Sequence, residues 1–133
     1  MTDVKTILVG TIGQGVLRSA DGGETWGRIG IGAGLHSDAL VRALHNTPTS
    51  PEIVFAGTDK GLYRSGDAGK TWQPVDTAMN DYNVWAIATD PGDPNLMFAG
   101  TGTPTPAALF RSSDAGKTDR KSTRLNSSHV LIS

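Results

Sequence analysis

The feature of this chain that most constrains its fold is an internal repeat. Three segments share an apolar start, an R-S-x-D core, and a glycine and a threonine after the core. The core serines, Ser19, Ser65 and Ser112, are separated by 46 and 47 residues. A repeat of this period predicts one supersecondary unit that is used several times and buries its apolar faces against its neighbours.

The repeat also decides which segments are strands. Residues 38–58 align without gaps on residues 81–101 at a constant offset of 43. Taken alone, residues 37–44 have a serine cap and a spacing that would suit a helix. At the offset of 43, residues 40–46 of the aligned stretch are equivalent to residues 83–89, which are β-branched and aromatic. Because two copies of one unit share one structure, we predict a strand at both places.

Each complete unit then contains four short strands, A to D, and no helix, which is typical of a β-propeller blade. A parallel β-helix is the alternative, but its turns are shorter. We predict an all-β chain that forms an incomplete β-propeller of about two and three-quarter four-stranded antiparallel blades. Blade one is residues 1–30 and lacks strand A, blade two is residues 38–77, and blade three is residues 81–118 and lacks strand D.

The strand boundaries follow from the aligned units. Strands A are residues 40–46 and 84–89, and strands B are residues 7–10, 53–57 and 96–100. Strands C are residues 16–19, 62–65 and 109–112, and strands D are residues 25–29 and 71–75. Strands A and B are nearly continuous apolar runs, which predicts that both faces of each sheet are buried.

A turn motif, S-x-D-x-G-x-T-W, joins strands C and D. Its aspartate is expected to accept N–H groups of the turn, its glycine to adopt a positive φ, and its Ser and Thr to hydrogen-bond across the strands. We expect Trp72 to be buried between blades two and three, and Trp26 between blades one and two. The motif residues are Ser19, Asp21, Gly23, Thr25, Trp26, Ser65, Asp67, Gly69, Thr71, Trp72, Ser112, Asp114, Gly116 and Thr118.

This motif resembles the Asp-box, or BNR repeat, of sialidase-type β-propellers, and the resemblance covers essentially residues 1–118. The family includes bacterial sialidases, other glycoside hydrolases, sortilin-type receptors, and photosystem II stability and assembly factors. The resemblance implies that the motif aspartates are structural, because the Asp-box lies at the blade periphery. It leaves two functions open: an intracellular, non-enzymatic binding or scaffold module, and a glycoside hydrolase of the sialidase type.

The resemblance to sialidases implies a catalytic set of three arginines, a Tyr–Glu pair and an acidic Asp. Arg18, Arg64 and Arg111 share one repeated position, so we interpret them as structural. Glu24 and Glu52 lie in hairpin turns, and no Glu is placed for the Tyr–Glu pair. We predict no catalytic residue in the chain and favour the non-enzymatic module. In the alternative, the hydrolase, the catalytic residues lie mostly in further blades.

Candidate binding residues lie where the D–A and B–C connections meet, the face on which propellers usually hold ligands. Arg42 differs from the repeated arginines because it lies on strand A and its equivalent is an aromatic residue. Residues 103–107 interrupt the repeat on the same face, and loops that depart from a scaffold are often functional. The candidates are His36, Asp38, Arg42, Asp81, Tyr82 and Trp85.

Composition excludes several classes of function. The chain has no Cys, and His36 and His45 match no zinc spacing, so no metal and no cofactor is predicted. The formal charge of −1 does not indicate nucleic acid or an anionic membrane, and no apolar run reaches the ~20 residues of a membrane helix. No signal peptide follows Met1, so we expect a cytoplasmic protein whose partner is a protein or a carbohydrate.

The end of the chain departs from this pattern. Residues 119–129 read DRKSTRLNSSH, and this string resembles the in-frame translation of a sequencing-library adapter. We therefore predict that residues 119–133 are a non-native tail that packs on nothing. The open edge of strand C in blade three could nevertheless accept part of the tail as a fourth strand.

Overall fold

The computed structural model describes residues 5–47, 49–75 and 79–116, and the backbone of residues 120–121. These residues form eleven β-strands and one 3-10 turn at Ile31–Ala33. The strands are β1 (Ile7–Gly10), β2 (Val16–Ser19), β3 (Gly27–Ile29), β4 (Val41–Thr47), β5 (Ser50–Thr58), β6 (Gly61–Ser65), β7 (Gln73–Pro74), β8 (Asn83–Asp90), β9 (Asp93–Gly102), β10 (Leu109–Ser112) and β11 (Arg120–Lys121).

The strands form three antiparallel sheets in chain order. Sheet one is β1-β2-β3, sheet two is β4-β5-β6-β7, and sheet three is β8-β9-β10-β11. The all-β class and the antiparallel four-stranded blades are therefore confirmed. Residues 37–44, which alone would suit a helix, contribute strand β4, as their likeness to residues 83–89 predicted.

Several strand ends differ from the prediction for identifiable reasons. Strands β5 and β9 begin at Ser50 and Asp93, because pairs with Thr47 and Asp90 extend each ladder to its hairpin turn. Strand β7 is shorter than residues 71–75, because both Thr71 donors are engaged by the preceding turn.

The first residues of the tail depart from the prediction that residues 119–133 pack on nothing. The backbone of Arg120 and Lys121 forms β11, which pairs antiparallel with Arg111 and Phe110 of β10. The open edge of β10 supplies the N–H and C=O groups for this pairing. Sheet three therefore has a short fourth strand, at the open edge of strand C that the sequence analysis named as able to accept one. Residues 122–133 lie outside the described residues, and the adapter origin of the tail stays a prediction.

Strand β5 supplies residues to two separate apolar clusters. Val54 and Ala56 belong to a cluster between sheets one and two, whereas Phe55 belongs to a cluster between sheets two and three. This division follows from the alternation of side chains along a strand. The prediction that strand B is buried on both faces is therefore confirmed for β5, whereas in β1 Val9 is 43% exposed.

The motif after strand C forms the same hydrogen-bonded turn in each sheet; we call these the Ser-Asp-Thr turns (residues 19–25, 65–71 and 112–116). In sheet two, Ser65 Oγ donates to Asp67 Oδ1 at 2.7 Å and accepts the Gly69 N–H at 2.8 Å. Asp67 also accepts the Thr71 N–H at 2.9 Å and the Thr71 hydroxyl at 2.6 Å. The Ser and Thr therefore bind the aspartate within the turn, and not across the strands as predicted.

The other two turns repeat this geometry as far as they are described. Asp21 accepts the Thr25 N–H at 2.9 Å, and Ser112 Oγ donates to Asp114 Oδ1 at 2.7 Å. The turn glycines have φ of +99° at Gly23, +87° at Gly69 and +86° at Gly116, as predicted. Thr118 lies outside the described residues.

Trp72 is buried, but between sheets one and two and not between sheets two and three. It is 3% exposed and packs in the cluster that contains Val16 and Leu35. Its backbone N–H donates to the Ala33 carbonyl at 2.8 Å. The reason is that the Ser-Asp-Thr turns of sheets two and three pack against the sheet that precedes them in the chain. A Cβ built at Gly69 would lie 2.7 Å from Leu8 Cδ1 of sheet one.

Trp26 is not buried between sheets one and two as predicted, because the turns pack against the preceding sheet and not the following one. Trp26 makes the equivalent indole hydrogen bond, to the Gly23 carbonyl at 3.0 Å, but it is 44% exposed. Its turn belongs to sheet one, and no sheet precedes sheet one in the part of the chain that the structure describes.

The two tryptophans allow a matched test of this packing. We expect Trp72→Ala to lower the free energy of unfolding by about 3–5 kcal/mol, because the large side chain leaves a cavity between two sheets. Trp26→Ala removes an exposed side chain and should cost less than about 1 kcal/mol. Urea unfolding monitored by circular dichroism gives both values. Equal losses for the two variants would contradict the assignment of Trp72 to the interface.

Acid should weaken the Ser-Asp-Thr turns. Hydrogen bonds from the Thr25 hydroxyl and N–H, and then from Ser19, lower the pKa of Asp21 to about 2, and the pKa of Asp67 is lowered in the same way. An unfolded Asp has a pKa of about 3.9. The stabilisation is thus complete above the unfolded pKa and is lost as the pH falls through the lower folded pKa.

We therefore expect the stability difference between the wild type and Asp67→Asn to narrow as the pH falls from about 5 to about 2. Urea midpoints measured across this range test the expectation. A difference that stays constant with pH would show that ionisation of Asp67 does not stabilise the turn.

Candidate functional site

The B–C and D–A connections form one continuous surface, which we call the loop face (residues 11–15, 31–40, 58–61, 79–83 and 102–108). Backbone hydrogen bonds join the two kinds of connection. The Gly15 N–H donates to the Ala39 carbonyl at 3.0 Å, and the Gly61 N–H donates to the Tyr82 carbonyl at 2.9 Å. Each bond links the B–C connection of one sheet to the D–A connection that leads into the next sheet.

Two β-bulges direct side chains outward beside the loop face. The ladder between β4 and β5 passes from Val41 to Ala43 and leaves Arg42 without a cross-strand partner. The ladder between β8 and β9 leaves Trp85 without one in the same way. Bulges re-aim side chains and are frequent next to functional sites. Arg42 and Trp85 occupy equivalent positions of successive sheets, both are exposed, and we call them the bulge pair.

The two residues of the bulge pair contact each other, and both are hydrogen-bonded to residues behind them in the fold. The Arg42 guanidinium carbon lies 4.1 Å from the centroid of the Trp85 ring, a cation–π geometry. Arg42 Nε donates to Asn83 Oδ1 at 3.3 Å. Trp85 Nε1 and Asn83 Nδ2 both donate to the Thr103 carbonyl at 3.1 Å. Asn83 is 2% exposed, so the bulge pair rests on a buried amide whose oxygen and nitrogen are both hydrogen-bonded.

A second polar cluster lies between the first two sheets. His36 Nε2 lies 2.8 Å from Asp59 Oδ1, and His36 Nδ1 lies 3.1 Å from the Tyr63 hydroxyl. Both contacts are satisfied when Nε2–H donates to the carboxylate and the phenol donates to Nδ1. The Leu40 N–H donates to the same Asp59 oxygen at 3.1 Å. The side chain of Asp59 is 32% exposed, whereas Tyr63 is buried.

The two acids of this second cluster titrate away from their ordinary values. Partial burial raises the pKa of Asp59, but hydrogen bonds from His36 and from the Leu40 N–H outweigh it, so the pKa lies below its ordinary value. Burial raises the pKa of the Tyr63 hydroxyl, and the nearby Asp59 charge adds to the rise. At neutral pH the cluster therefore presents an ionised carboxylate to solvent and keeps a protonated phenol inside.

The six predicted binding residues have different surroundings in the structure. It brings Arg42 and Trp85 together, and it places His36 in the second cluster. The Tyr82 ring packs edge-on against Phe110 with centroids 5.3 Å apart, so Tyr82 supports the core between sheets two and three. Asp38 and Asp81 are exposed, and Asp38 has a φ of +55° in its turn.

Two polar residues of these clusters were missed by sequence reasoning. Asn83 aligns with Leu40 at the offset of 43, and Asp59 aligns with Ile12 of sheet one at an offset of 47. Each is therefore a polar residue where the repeat elsewhere has an apolar one. That departure is the signal that could have found them.

Other site types find no support among the described residues. No group of three or more His, Cys, Asp or Glu lies close enough to hold a metal ion in the described part of the chain. Within the same ranges, no helix has the length and apolar character needed to cross a membrane. A groove of about 700 Å³ lies away from the loop face, between β1 and the β4–β5 hairpin.

Comparison with curated proteins finds that the chain is similar to xyloglucanases. No family model matches the chain. It is 34% identical over 99 residues to a xyloglucanase of Hypocrea jecorina (strain QM6a), which covers 74% of this chain and 11% of that enzyme. It is 32% identical over 106 residues to a xyloglucanase of Paenibacillus sp., which covers 71% of this chain and 10% of that enzyme. The chain thus spans about a tenth of the length of these relatives.

The fold is also found in solved structures, among them the following two. An ancestral GH74 enzyme matches 89% of this chain and 16% of its own, with a TM-score of 0.75 and 22% identity. YCF48 bound to D1 peptide matches 90% of this chain and 38% of its own, with a TM-score of 0.64 and 18% identity. Together with the three stacked antiparallel sheets, these likenesses make the chain a segment of a β-propeller. Among named proteins, its sequence is similar to glycoside hydrolases, namely xyloglucanases.

Proposed function

We propose that this chain is part of a glycoside hydrolase β-propeller that binds a polysaccharide of the xyloglucan kind on its loop face. The observation that carries the proposal is the 34% identity to a xyloglucanase over 99 residues. This likeness favours the hydrolase alternative over the non-enzymatic scaffold that the sequence analysis preferred. It favours a neutral plant-type glucan over the sialic acid that the resemblance to sialidases implied.

We also propose that the Ser-Asp-Thr turns are Asp-box repeats. Their shared hydrogen-bond pattern in all three sheets supports this, and so does their position on the hairpin between strands C and D. In this proposal the aspartates of the turns fix the hairpins, and sugar binding falls to residues on the opposite end of the strands.

The geometry of the loop face suits carbohydrate. Trp85 is 44% exposed and offers an aromatic surface on which the apolar face of a sugar ring can lie. Asp59 offers an ionised carboxylate that accepts hydrogen bonds from sugar hydroxyls. Both residues lie near the start of β4. The Asp59 N–H donates to the Leu40 carbonyl, and Arg42, two residues after Leu40, contacts Trp85.

Calorimetric titration of the chain with a xyloglucan oligosaccharide tests the proposal. We expect binding by the wild type, and a roughly tenfold weaker affinity for Trp85→Ala, equivalent to about 1.4 kcal/mol. Trp26→Ala is the matched control, because Trp26 is also 44% exposed but lies in a Ser-Asp-Thr turn. We expect it to leave the affinity unchanged.

Two results would contradict the proposal. One is the absence of saturable binding by wild-type protein whose circular dichroism shows β-structure. The other is an equal loss of affinity in Trp26→Ala and Trp85→Ala, which would place the sugar elsewhere than on the bulge pair.

A further inference from the structure

Sheet one exposes an apolar face. Leu8 packs toward sheet two, so Val9, the next residue of β1, lies on the opposite face together with its cross-strand partner Leu17. Val9 is 43% exposed, and Trp26 of the same sheet is 44% exposed. In the described part of the chain, no sheet precedes sheet one. We call this side the front face, and its apolar residues are Ile7, Val9, Leu17 and Trp26.

The equivalent faces of the other two sheets are interfaces. Sheet two buries its front face against sheet one, and sheet three buries its own against sheet two. By cross-strand pairing and by the repeat, the residues of sheet two that correspond to the front face are Val54, Ala56, Tyr63 and Trp72. All four belong to the cluster between sheets one and two. The front face of sheet one therefore matches a surface that packs on a preceding sheet twice within this chain.

Sheet three exposes the other kind of face, the one that receives a front face. Within the chain, sheet two presents Phe55 and Leu62 to sheet three, and both are buried. Their equivalents in β9 and β10 are Phe98 and Leu109, which are only partly buried. Among the described residues, no sheet follows sheet three. We call this side the back face, and its residues are Phe98, Leu109 and Arg111.

The turn glycines show how a front face and a back face meet. Leu8 and Phe55 each lie against a turn glycine of the following sheet, and a Cβ built at that glycine would lie 2.7 Å and 3.1 Å from their side chains. Phe98 is the next member of this series. Gly23 is the remaining turn glycine, and a Cβ built there meets only side chains of its own sheet. Phe98 and Gly23 are thus the two halves of a third contact of the same kind.

An arginine adds a polar bond to this kind of interface. Arg18 Nε donates to the Ala68 carbonyl, in the turn of sheet two, at 3.0 Å. Arg111 has the position of Arg18 on the back face of sheet three. Gly22 has the position of Ala68 in the turn of sheet one, and both have a positive φ. The back face therefore carries a donor, and the front face carries the carbonyl that would accept its hydrogen bond.

We propose that the front face of one copy of this chain packs on the back face of a second copy, as sheet two packs on sheet one. The occupant is a second copy because the chain carries both halves of a contact that it already makes twice. The proposal goes beyond the proposed function, since the propeller would then be assembled from copies of one chain. A head-to-tail contact of this kind closes into a ring or continues with further copies.

The described part of sheet one has no strand A, which limits the strength of this contact. Inside the chain, strand A supplies Val41, which lies against Gly10, and Val84, which lies against Gly57. The contact between copies lacks this part. We therefore expect a dissociation constant in the micromolar range, on the order of 10–100 μM.

Light scattering of the full chain between about 5 and about 500 μM tests the proposal. We expect the mean mass to rise with concentration to at least twice that of one chain. Val9→Lys places a charge in the front face and Phe98→Lys places one in the back face, so each variant alone should stay monomeric. Mixed together, they should form a 1:1 complex and nothing larger, because one intact front face and one intact back face remain. Ile31→Lys, at a loop-face residue that is 73% exposed, should associate as the wild type does.

The outcomes decide between occupants. A wild type that stays monomeric throughout would overturn the proposal and leave both faces to further sheets of a longer propeller. Association of either variant alone would also overturn it, because pairing of two like faces needs only one of the surfaces. So would a mixture that stays monomeric while both variants keep the circular dichroism of the wild type. If Phe98→Lys does not fold, Arg111→Glu replaces the donor at a partly exposed position, and it should form the same 1:1 complex with Val9→Lys.

Discussion

The close approach of successive sheets at two glycines is the constraint on which the rest of the structure depends. A Cβ built at Gly10 would lie 2.8 Å from the Val41 carbonyl oxygen of the next sheet. A Cβ built at Gly57 would lie 2.8 Å from Val84 Cγ1 and 3.0 Å from its carbonyl oxygen. The missing side chains allow strand A of sheets two and three, β4 and β8, to pack directly on strand B of the sheet before it, β1 and β5. Because the contact repeats, the bulges of β4 and β8 become neighbours.

The Ser-Asp-Thr turns add a second contact between successive sheets, always from the later sheet in the chain to the earlier one. The aspartate of each turn hydrogen-bonds within the turn, and the turns of sheets two and three pack on the preceding sheet: an ideal Cβ at Gly116 would lie 3.1 Å from the Phe55 ring. The tryptophan of the same turn motif is therefore buried in one sheet and exposed in another. Trp72 has a sheet to pack against and is buried, whereas Trp26 carries the same turn and is exposed. At the other end of the strands, the loops are free to vary, and the polar clusters are found there.

The sequence predicts the strands well because their determinants are local and repeated. Strands β1, β2 and β10 lie where the aligned units place them, and the alternation of Val54, Phe55 and Ala56 encodes burial on both faces. The period does not encode which neighbour a turn contacts, so the partner of Trp72 was wrong. Arg42 and Trp85 were predicted as binding residues one by one, but their contact depends on two bulges in different sheets. The sequence analysis kept a glycoside hydrolase as its alternative but could not prefer it, because the turn motif resembles that of enzymes and of non-enzymatic propellers alike; the preference came from the likeness to xyloglucanases.

The stability of Gly57→Ala tests the central claim, that successive sheets stack through glycine contacts, most directly. Gly27→Ala is the matched control, because Gly27 lies in β3 and a Cβ built there meets nothing within 4 Å. In urea unfolding we expect Gly57→Ala to lose about 1–3 kcal/mol through overpacking. Gly27→Ala should change stability by less than about 1 kcal/mol. Equal stability of the two variants would contradict the account.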